Sequence, residues 1–594
     1  MFDFRRTHNC GALRLADVGE KVTLSGWIHR RRDLGKIIFL DLRDRFGLTQ
    51  LVIDPSAALK VYENAQKLRQ EWVVAIKGSV AKRKERHPTL PTGDIEILVE
   101  EIEILSEAKN PPFSIADERT EINEELRLKY RYLDFRKGEI VKNLLLRHKV
   151  MMATRSFLDR EGLIEVTTPI LCKSTPEGAR DYLVPSRIYP GNFYALPQSP
   201  QIFKQLLMLG GLDRYFQIAP CFRDEDLRAD RQPEFTQIDI ELSFLTPKEL
   251  FQLVEKLLHH VFQECLGITL PTPFPQMPHK EALESYGSDK PDLRFGMPLV
   301  RIDEIAKRSS FSPFQEILAK GGVVKALCVK KGSEVSRKNL EEYEKIVSPL
   351  GVEKLFSMKR GAEGFSTGVA KYFDETLLSE IERKLSVEIG DLILIAAEKE
   401  ERVNQGLDHL RRYIGKERKL IDKNAWNFLW VQDFPLFSID KTSGEIQSEH
   451  HPFTSPHFED MHLLDTNPLK ARAYAYDLVL NGYELASGSQ RIHNGELQKK
   501  IFQLTRLQEE EITSRFGYFI EALRYGTPPH LGCALGFDRL LMLLCKTENI
   551  RDVIAFPKTQ KASDLMMQSP SPVSNYQLKE LHVQPTETCE IPWL

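Results

Sequence analysis

The chain has 594 residues, of which 42% are hydrophobic and 28% are charged, and a formal net charge of -3. One hydrophobic core rarely organises so long a chain, so several domains are expected in a protein of ordinary globular composition. The charge excludes a uniformly basic nucleic-acid binder, although it is compatible with a local basic surface.

Local patterns argue against two further classes of protein. No apolar run approaches the roughly 18 residues that a membrane-spanning helix needs, and the N-terminal stretch lacks the apolar core of a signal peptide. The eight cysteines are scattered and form no CxxC pair, which disfavours a disulfide framework and a cysteine-based zinc site. A cytoplasmic location is therefore expected.

The first 108 residues have the pattern of a β-barrel. Apolar and polar residues alternate in a series of short strands, predicted at Val22–Ile28, Ile37–Leu42, Leu48–Ile53, Trp72–Val80 and Ile95–Ile104. A helical stretch, 57–69, separates the third strand from the fourth, an order that is typical of an OB-fold. Two basic clusters, His29–Arg32 and Lys82–Arg86, lie at predicted strand edges. They form either a solvated rim or a groove for single-stranded nucleic acid.

The pattern changes after the barrel. A linker at 109–138 begins at a proline-rich break and contains a charged helical stretch, 118–133. A second helical stretch, 139–161, leads through a turn into a short apolar strand that ends at Pro169. The segment 139–288 is therefore predicted to begin a second domain, built of helices and strands.

An inserted domain interrupts this second domain. From 289 to 415 the composition shifts towards Lys and Glu, and apolar strands at Val323–Val329 and Leu392–Ala396 alternate with helices. We interpret this segment as an inserted α+β domain. The strand-rich pattern returns at 416–556, which would complete the interrupted domain. The polar extension that follows, 557–594, is expected to pack only partly.

Side chains rather than a glycine-rich loop would have to hold a nucleotide. The chain has no GxxxxGK[ST] motif and no GxGxxG after a strand. An apolar strand in Tyr215–Asp226 reaches Arg223, and a charged loop then leads to a second strand, Arg231–Glu241. Far downstream, Gly532–Leu543 is a glycine-rich strand that turns into a helix at Arg539. Guanidinium groups suit phosphate, and although either arginine alone could form a structural salt bridge, their combination favours a phosphate site.

Three blocks together resemble the signature of the class II aminoacyl-tRNA synthetases. The helix and strand that end at Pro169 resemble motif 1, the FRDE hairpin from Arg223 resembles motif 2, and GFDR, ending in Arg539, resembles motif 3. Class I signatures are absent. The resemblance extends to the bacterial aspartyl-tRNA synthetases in a further series of stretches, namely Ser174–Tyr182, Ala195–Lys204, His450–Thr454, Tyr483–His493, Gly361–Gly364 and Val369–Phe373.

This resemblance implies a fold and a reaction. The fold would combine an OB-fold anticodon-binding domain with an antiparallel-sheet catalytic domain that carries the inserted α+β domain. The reaction would join L-aspartate to the 3′ end of tRNA(Asp) through an aspartyl-adenylate made from ATP, in a homodimer with Pro169 near its two-fold axis. The chain departs from the family pattern at Ala486 and Ser487, which replace glycines, and at Gln490, which replaces an apolar residue.

The resemblance also implies the residues that bind ATP. Arg223, Glu484 and Arg539 would be catalytic, with Arg223 on the α-phosphate and Arg539 on the γ-phosphate. Asp477 and Glu484 would hold Mg²⁺ through carboxylate oxygens. The full set of expected ATP-binding residues is Arg223, Asp224, Glu225, Gln232, Glu484, Gly536, Phe537, Asp538 and Arg539.

Aspartate would be recognised by residues of both charges. Lys204 and Arg491 would meet its side-chain carboxylate, so asparagine would leave them poorly compensated. Glu177, Gln201 and Asp239 would face its ammonium group. The full set implied by the resemblance is Glu177, Ser199, Gln201, Lys204, Arg223, Asp239, His450 and Arg491.

The tRNA would be read by the OB domain, through His29, Arg30, Phe39, Gln50 and Lys82. Phe39 would stack on an anticodon base, although periodicity alone equally allows a barrel-core role. Family members that also load tRNA(Asn) tend to carry histidine where this chain has His29. We therefore expect relaxed tRNA choice, the alternative being a solvent-facing His29 without a role.

Three alternatives remain open at this point. A sister ligase charging asparagine or lysine is disfavoured by the Lys204 and Arg491 pair. A catalytically inactive RNA-binding relative is disfavoured because Arg223, Glu484 and Arg539 are all present. A zinc site is disfavoured by the irregular spacing of its candidate ligands, which are Glu449, His450, His451, His457 and His462.

Overall fold

The computed structural model describes residues 2–56, 59–117, 120–175, 179–441 and 443–584. The chain divides into two units, one of Met1–Arg147 with Asn549–Pro572 and one of His148–Glu548 with the residues from Val573 onwards. In these described ranges no helix combines the length and the apolar character needed to cross a bilayer.

The first unit contains a closed β-barrel. Its elements are β1 (Lys21–Leu34), β2 (Ile37–Asp44), β3 (Gly47–Ile53), α1 (Leu59–Lys67), β4 (Val73–Lys82) and β5 (Ile95–Ser106). The strands follow the order β1-β2-β3-β5-β4 around the barrel, and alternate side chains such as Leu24, Leu40 and Leu51 fill its core. The predicted OB-fold is confirmed.

The first strand is longer than its apolar pattern predicted. Beyond Ile28 it continues to Leu34 and pairs with β2, so the basic cluster lies within the strand and not at its end. Arg30 is opposite Asp41 and Arg32 is opposite Phe39, and the register shifts between Ile28 and Arg30. The alternation stops at Ile28 because the outer half of the strand leaves the barrel core.

Three helices follow the barrel, α2 (Glu124–Lys129), α3 (Arg131–Asp134) and α4 (Glu139–Arg160). The helix expected at 118–133 is therefore two short helices, and its first two residues lie outside the described part of the chain. The buried Arg131 donates to the backbone oxygens of Arg551 and Ala555. These bonds fasten the segment Asn549–Pro572 within the first unit.

The second unit begins with strands and helices that surround the motif 2 hairpin. They are β6 (Ile164–Glu165), β7 (Leu183–Pro185), β8 (Phe193–Ala195), α5 (Gln201–Leu209), β9 (Arg214–Phe222), β10 (Glu234–Ser243), α6 (Pro247–Leu266), β11 (Gln276–Pro278) and α7 (His279–Tyr286). The predicted hairpin is present, since β9 and β10 pair antiparallel from Arg214 with Leu242 to Phe222 with Glu234.

The inserted segment forms its own sheet. Its elements are β12 (Leu299–Arg301), α8 (Asp303–Arg308), α9 (Ser312–Ala319), β13 (Val323–Val329), α10 (Arg337–Val347), β14 (Leu355–Gly361), β15 (Gly364–Ser366), α11 (Glu375–Lys384), β16 (Leu392–Glu398) and α12 (Glu400–Glu417). The sheet order is β12-β13-β16-β14-β15. Alternate residues of β16 face different cores, Ile393 on one side and Leu394 on the other.

The remaining elements complete the central sheet and the C-terminal helices. They are β17 (Phe428–Gln432), β18 (Phe437–Ile439), β19 (Ile446–Ser448), α13 (Leu463–Thr466), β20 (Ala475–Leu480), β21 (Tyr483–Gln490), α14 (Gly495–Leu504), α15 (Glu509–Ala522), β22 (His530–Gly536), α16 (Phe537–Leu544) and α17 (Asn575–Glu580). As predicted for motif 3, a strand turns directly into a helix at Phe537.

The central sheet has the strand order β11-β17-β20-β21-β22-β10-β9-β6. Its inner strands pair antiparallel, as expected for a class II catalytic domain. Its two outer strands differ from that expectation, because β11 runs parallel to β17 and β6 runs parallel to β9. Parallel neighbouring strands cannot be joined by a tight hairpin, so a long connection links each edge strand to its parallel neighbour. The sheet is therefore mixed.

Candidate active site

The predicted site residues converge on the inner strands of the central sheet. Alternate residues of a strand share one face, and β10 places Asp239 and Glu241 side by side in this way. Glu241 is opposite Gly532 of β22. A β-carbon built on Gly532 would lie 2.0 Å from a Glu241 carboxylate oxygen, so this glycine leaves the space that the carboxylate needs.

Four buried charged side chains form a cluster, which we call the charge quartet: Lys204, Asp239, Glu241 and Arg491. None is more than 1% exposed. Lys204 Nζ lies 2.6 Å from Asp239 Oδ1 and 3.3 Å from Glu241 Oε2. Arg491 donates from Nε and Nη2 to the two carboxylate oxygens of Glu241, at 2.9 and 3.0 Å. Two cations and two anions therefore compensate one another.

The two carboxylates of the quartet differ in their electrostatics. Burial would raise the pKa of Glu241, but Arg491 and Lys204 bring that pKa below its usual value. Burial raises the pKa of Asp239, which Lys204 only partly opposes. Asp239 Oδ2 has no hydrogen-bond partner among the described residues, so it could accept from a cationic group of a ligand.

Other buried polar atoms of this region also lack partners. Within the described part of the chain no hydrogen bond reaches Gln201 Nε2, Arg223 Nε, His450 Nδ1, Asp477 Oδ1 or Arg539 Nε. Buried polar atoms are nearly always paired in proteins. Unpaired donors and acceptors that gather on one sheet and its flanking helices indicate a site for a polar ligand.

The two motif arginines are held by the backbone around them. Arg223 follows β9, where its backbone N–H donates to the Pro233 oxygen at 2.9 Å, and its guanidinium lies 5.1 Å from the ring of Phe235. Arg539 is the third residue of α16. It donates from Nη1 to the backbone oxygen of Glu484 and from Nη2 to Asp230 Oδ2, at 2.5 and 3.1 Å.

The candidate metal ligands lie on neighbouring strands. Asp477 of β20 is opposite Ser487 of β21, and Glu484 is opposite Val479 beyond a register shift. Burial, and then the charge of Asp477, raises the pKa of Glu484. Two neighbouring carboxylates, Glu484 with a raised pKa and Asp477 with an oxygen that accepts no hydrogen bond from the described residues, provide donors that suit a divalent cation. Of the departures from the family pattern, Ala486 and Ser487 pair with Leu478 and Asp477 next to this register shift, and Gln490 pairs with Leu531.

Several predicted ligand residues border the same region. Glu225 forms an ion pair with Arg231, with 2.9 Å between Oε2 and Nη1. Asp224 forms another with Arg180, with 3.6 Å between Oδ2 and Nε. Gln232 is buried. Ser199 and Gln201 line a cleft together with Lys173, Asp181 and Tyr518. Glu177 lies outside the described residues.

The residues of the motif 3 block have different roles. Phe537 is fully buried in the core, and Asp538 accepts from the backbone N–H of Thr236 at 2.7 Å. Gly536 contributes no side chain, and pairs with Gln237 across the sheet. Arg539 is therefore the residue of the block whose side chain reaches the polar site, while the side chains of its two predecessors support the fold.

Sequence reasoning missed three residues of the site. Glu241 is the shared partner of both quartet cations, and its spacing of two residues from Asp239 on a strand was a usable signal. Ser489 and His451 both accept from Arg491 Nη1, at 2.5 and 2.8 Å. Ser489 lies two residues before Arg491, a spacing that was equally usable, whereas the contact of His451 with Arg491 joins residues 40 positions apart.

The histidines proposed as a zinc site face different partners. His450 lies 3.7 Å from Asp477, His451 contacts Arg491, and His457 lies 3.1 Å from Asp433. No group of three or more potential metal ligands occurs among the residues that the structure describes. The histidine-rich stretch therefore gives no support to a zinc site.

The barrel presents a mixed aromatic and polar surface. Phe39 is half-buried and stands outside the barrel core, although its neighbours Ile38 and Leu40 belong to that core. Gln50 accepts from Arg32 at 3.1 Å and donates to Glu96 at 2.8 Å. Arg30 donates to the Ala116 backbone oxygen at 2.6 Å, and Lys82 is exposed at the end of β4.

His29 is fixed in one tautomer. Its Nδ1 lies 2.9 Å from Arg43 Nη1, and arginine has no acceptor atom, so Nδ1 must accept and Nε2 must carry the proton. Arg43 is itself held by Glu71 through two bonds of 2.9 and 2.8 Å. Burial, and then the charge of Arg43, lowers the pKa of His29 to about 4. His29 is therefore a neutral donor through Nε2.

Comparisons with known proteins agree with this architecture. The family of class II tRNA synthetases (D, K and N) matches residues 123–560, and the OB-fold nucleic acid binding domain matches residues 22–105. Among solved structures, asparaginyl-tRNA synthetase from Pyrococcus horikoshii is 20% identical with a TM-score of 0.59, covering 93% of this chain and 98% of that one. Aspartyl-tRNA synthetase from Entamoeba histolytica is 20% identical with a TM-score of 0.55, covering 91% and 89%. These likenesses support the fold.

Full-length relatives are far more similar in sequence. Aspartate--tRNA(Asp/Asn) ligase from Protochlamydia amoebophila is 58% identical over 98% of this chain and 98% of its own length. The protein of the same name from Chlamydia caviae is 55% identical over 98% and 99%. This chain therefore belongs to the class II tRNA synthetases, in their family of aspartate--tRNA ligases.

Proposed function

We propose that the protein ligates L-aspartate to the 3′ end of tRNA(Asp), through an aspartyl-adenylate made from ATP, and that it also charges tRNA(Asn). The observation that carries the proposal is the buried charge quartet, whose two carboxylates lie on the sheet that also positions Arg223 and Arg539. Such a site offers fixed charges of both signs to a small zwitterion beside groups that suit phosphate.

The first step is the attack of the aspartate α-carboxylate on the α-phosphorus of ATP. The new bond joins carboxylate oxygen to phosphorus, and the bond to the bridging oxygen breaks as pyrophosphate leaves with the electron pair. The carboxylate is ionised at neutral pH, so the step needs no protein base. Its barrier falls through positioning and charge stabilisation.

Arg223 and Arg539 would supply that stabilisation. Arg223 is assigned to the α-phosphate and Arg539 to the γ-phosphate, which its position at the start of α16 supports. The ion pair of Arg539 with Asp230 would have to open, since the same guanidinium atoms would serve the phosphate. In the second step, a hydroxyl of the terminal tRNA adenosine attacks the activated carbonyl carbon and AMP leaves.

Asp477 and Glu484 would hold Mg²⁺, which supplies positive charge next to the ATP phosphates when it is bound. Asp477 Oδ1, which accepts no hydrogen bond within the described part of the chain and lies 3.7 Å from His450 Nε2, supports this assignment. Arg539 donates to the backbone oxygen of Glu484. The side chain assigned to the γ-phosphate therefore lies next to the strand that carries the candidate metal ligand.

Aspartate would be recognised through its ammonium group and its side-chain carboxylate. The ammonium group would be met by Asp239 Oδ2, the unpaired acceptor of the quartet, with Glu177 as a further expected contact. The side-chain carboxylate would be met by Lys204 and Arg491. Asparagine lacks the negative charge that these cations favour, so it would bind less well.

Charging of tRNA(Asn) would depend on the barrel surface. The anticodons GUC and GUU differ only in a final cytosine or uracil, and both bases carry a carbonyl oxygen at position 2. His29 donates through Nε2, and a donor can address that shared acceptor in either base. The relatives are named for both tRNAs, and Phe39 beside Gln50 would stack on a neighbouring base.

We also infer a homodimer. Exposed apolar side chains concentrate around the motif 1 segment of the second unit, among them Met152, Ile164, Leu171, Leu183, Phe193 and Tyr194. A backbone bridge between Cys172 and Ala195 joins the segment after Pro169 to the β7–β8 hairpin. Large exposed apolar patches usually mark interfaces, and a patch used by both copies is typical of a two-fold dimer.

The decisive experiment is ATP–pyrophosphate exchange with each amino acid in turn, followed by aminoacylation of tRNA(Asp) and tRNA(Asn) transcripts. Exchange that depends on aspartate supports the proposal. Exchange that depends on asparagine or lysine would instead make the protein a sister ligase, and the absence of exchange with any amino acid would contradict enzymatic function.

A further inference from the structure

Arg491 is held on two sides by different kinds of group. Glu241 occupies the edge formed by Nε and Nη2, while Nη1 donates to His451 Nε2 at 2.8 Å and to Ser489 Oγ at 2.5 Å. A guanidinium has five N–H donors. Four of them are engaged here, which leaves one N–H on Nη2 for a substrate.

The contact with arginine fixes the tautomer of His451. Because arginine can only donate, Nε2 of the ring must be unprotonated and Nδ1 must carry the hydrogen. Thr454 Oγ1 lies 3.3 Å from Nδ1 as its acceptor, and it donates in turn to Ser489 Oγ at 3.1 Å. The backbone N–H of Phe453 is also aimed at Nδ1, at 3.2 Å; the ring cannot accept at both nitrogens, and the shorter contact with the charged guanidinium, at 2.8 Å, decides in favour of Nε2. His451 is a neutral acceptor within a closed network.

Only a neutral acceptor suits this position. The quartet already balances two cations against two anions, so a carboxylate here would leave excess negative charge facing the substrate carboxylate. A cation would repel Arg491. An apolar side chain would leave a buried N–H of Nη1 without a partner.

We propose that His451 is a positioning residue that sets the preference for aspartate over asparagine, by orienting Arg491 without neutralising its charge. This proposal rests on the proposed function, because it takes Arg491 to be the ligand of the aspartate side chain. It predicts that the charge of the group at position 451 matters more than its shape.

Three substitutions separate charge from shape. His451→Gln keeps a neutral acceptor, His451→Leu removes the acceptor, and His451→Glu replaces it with a charged one. Pyrophosphate exchange would give KM for aspartate, KM for ATP and kcat/KM for aspartate against asparagine. His409→Leu, at an exposed histidine of the inserted segment, is the matched control.

The glutamine variant should keep KM for aspartate within about threefold of the wild type, and the leucine variant should raise it by about tenfold or more. KM for ATP should stay unchanged in both. The glutamate variant should lower the ratio of kcat/KM for aspartate over asparagine by at least about tenfold. Rescue by glutamine but not by glutamate is the signature of a neutral positioning acceptor.

Equal discrimination by the glutamine and glutamate variants would overturn the proposal, as would a leucine variant whose KM for ATP rises as much as its KM for aspartate. If the glutamate variant does not fold, the KM values for aspartate and for ATP in the leucine and glutamine variants test the proposal. Arg491→Ala tests the proposed function separately from the role of His451. Wild-type aspartate kinetics in that variant would refute the assigned role of Arg491. A severe defect there, with a normal glutamate variant, would refute only the role of His451.

Discussion

Arg539 donates from Nη1 to the backbone oxygen of Glu484 at 2.5 Å, a bond that joins the start of α16 to strand β21. The candidate γ-phosphate ligand is thus anchored on the strand that carries a candidate metal ligand. A change at Arg539 alters the charge that faces phosphate and also frees this backbone oxygen.

Arg539→Ala and Arg223→Ala should each lower aspartate-dependent exchange by about 100- to 1000-fold, because each removes a fixed charge from the developing phosphate charge. Exchange rates at saturating ATP and aspartate would measure this effect. Arg337→Ala, at an exposed arginine of the inserted segment, is the control and should have wild-type activity. Near wild-type exchange in either motif variant would refute the phosphate assignment.

Asp477→Asn and Glu484→Gln should raise the Mg²⁺ concentration needed for half-maximal exchange by about tenfold or more, since a neutral amide is a weaker ligand than a carboxylate. Titration of MgCl₂ into protein treated with EDTA would show the shift. Glu510→Gln, at an exposed glutamate of α15, should not change the requirement. A normal Mg²⁺ dependence in both variants would place the metal elsewhere.

The sequence indicated the parts of the site that are local. The Arg223 hairpin and the Arg539 turn are each contiguous, so strand pattern and motif identified them together. The bonds between Arg491 and Glu241 join residues 250 positions apart, and no periodicity specifies such a partner. The contact between Arg491 and His451 joins residues 40 positions apart, so no local pattern identified His451 as a partner of Arg491.

Prediction of the fold also succeeded for local patterns and failed for features that depend on distant parts of the chain. Alternation located β2 and β3 closely, and the apolar run Val323–Val329 located β13, which is buried on both faces. Alternation ended β1 at Ile28, where the strand leaves the barrel core but continues to pair with β2. It also could not reveal the parallel edges of the central sheet, since pairing direction is set by distant connections.

The inferred homodimer should dissociate when charge is placed in its apolar patch. Leu171→Lys combined with Ile164→Lys should convert the protein to a monomer at micromolar concentration, because buried lysines would lack partners. Sedimentation velocity would distinguish the two states. Ile389→Lys, at an exposed apolar residue of the inserted segment, is the matched control. A wild-type protein that sediments as a monomer would contradict the inferred homodimer.

The anticodon surface can be tested separately from the chemistry. Phe39→Ala should weaken charging of tRNA(Asp) by about 1–3 kcal/mol, the usual contribution of one stacked base, and leave pyrophosphate exchange unchanged. Phe46→Ala removes an exposed phenylalanine elsewhere on the barrel and should affect neither reaction. Equal losses of charging and exchange in Phe39→Ala would mean that the residue only supports the fold.

Acceptance of both tRNAs should depend on the hydrogen bond that His29 donates. Its Nδ1 is occupied by Arg43 and its pKa is lowered to about 4, so near neutral pH the ring donates only through Nε2. His29→Gln retains a neutral donor and should preserve charging of both transcripts, whereas His29→Leu removes the donor to the carbonyl that both bases share and should lower charging of both transcripts by similar factors. Since protonation of His29 begins only well below pH 6, the ratio of the two kcat/KM values should not vary between pH 6 and pH 8. Side-by-side aminoacylation of purified transcripts measures this ratio. A wild-type efficiency on tRNA(Asn) several hundred-fold below that on tRNA(Asp), or a loss of charging on only one tRNA in His29→Leu, would refute the assignment.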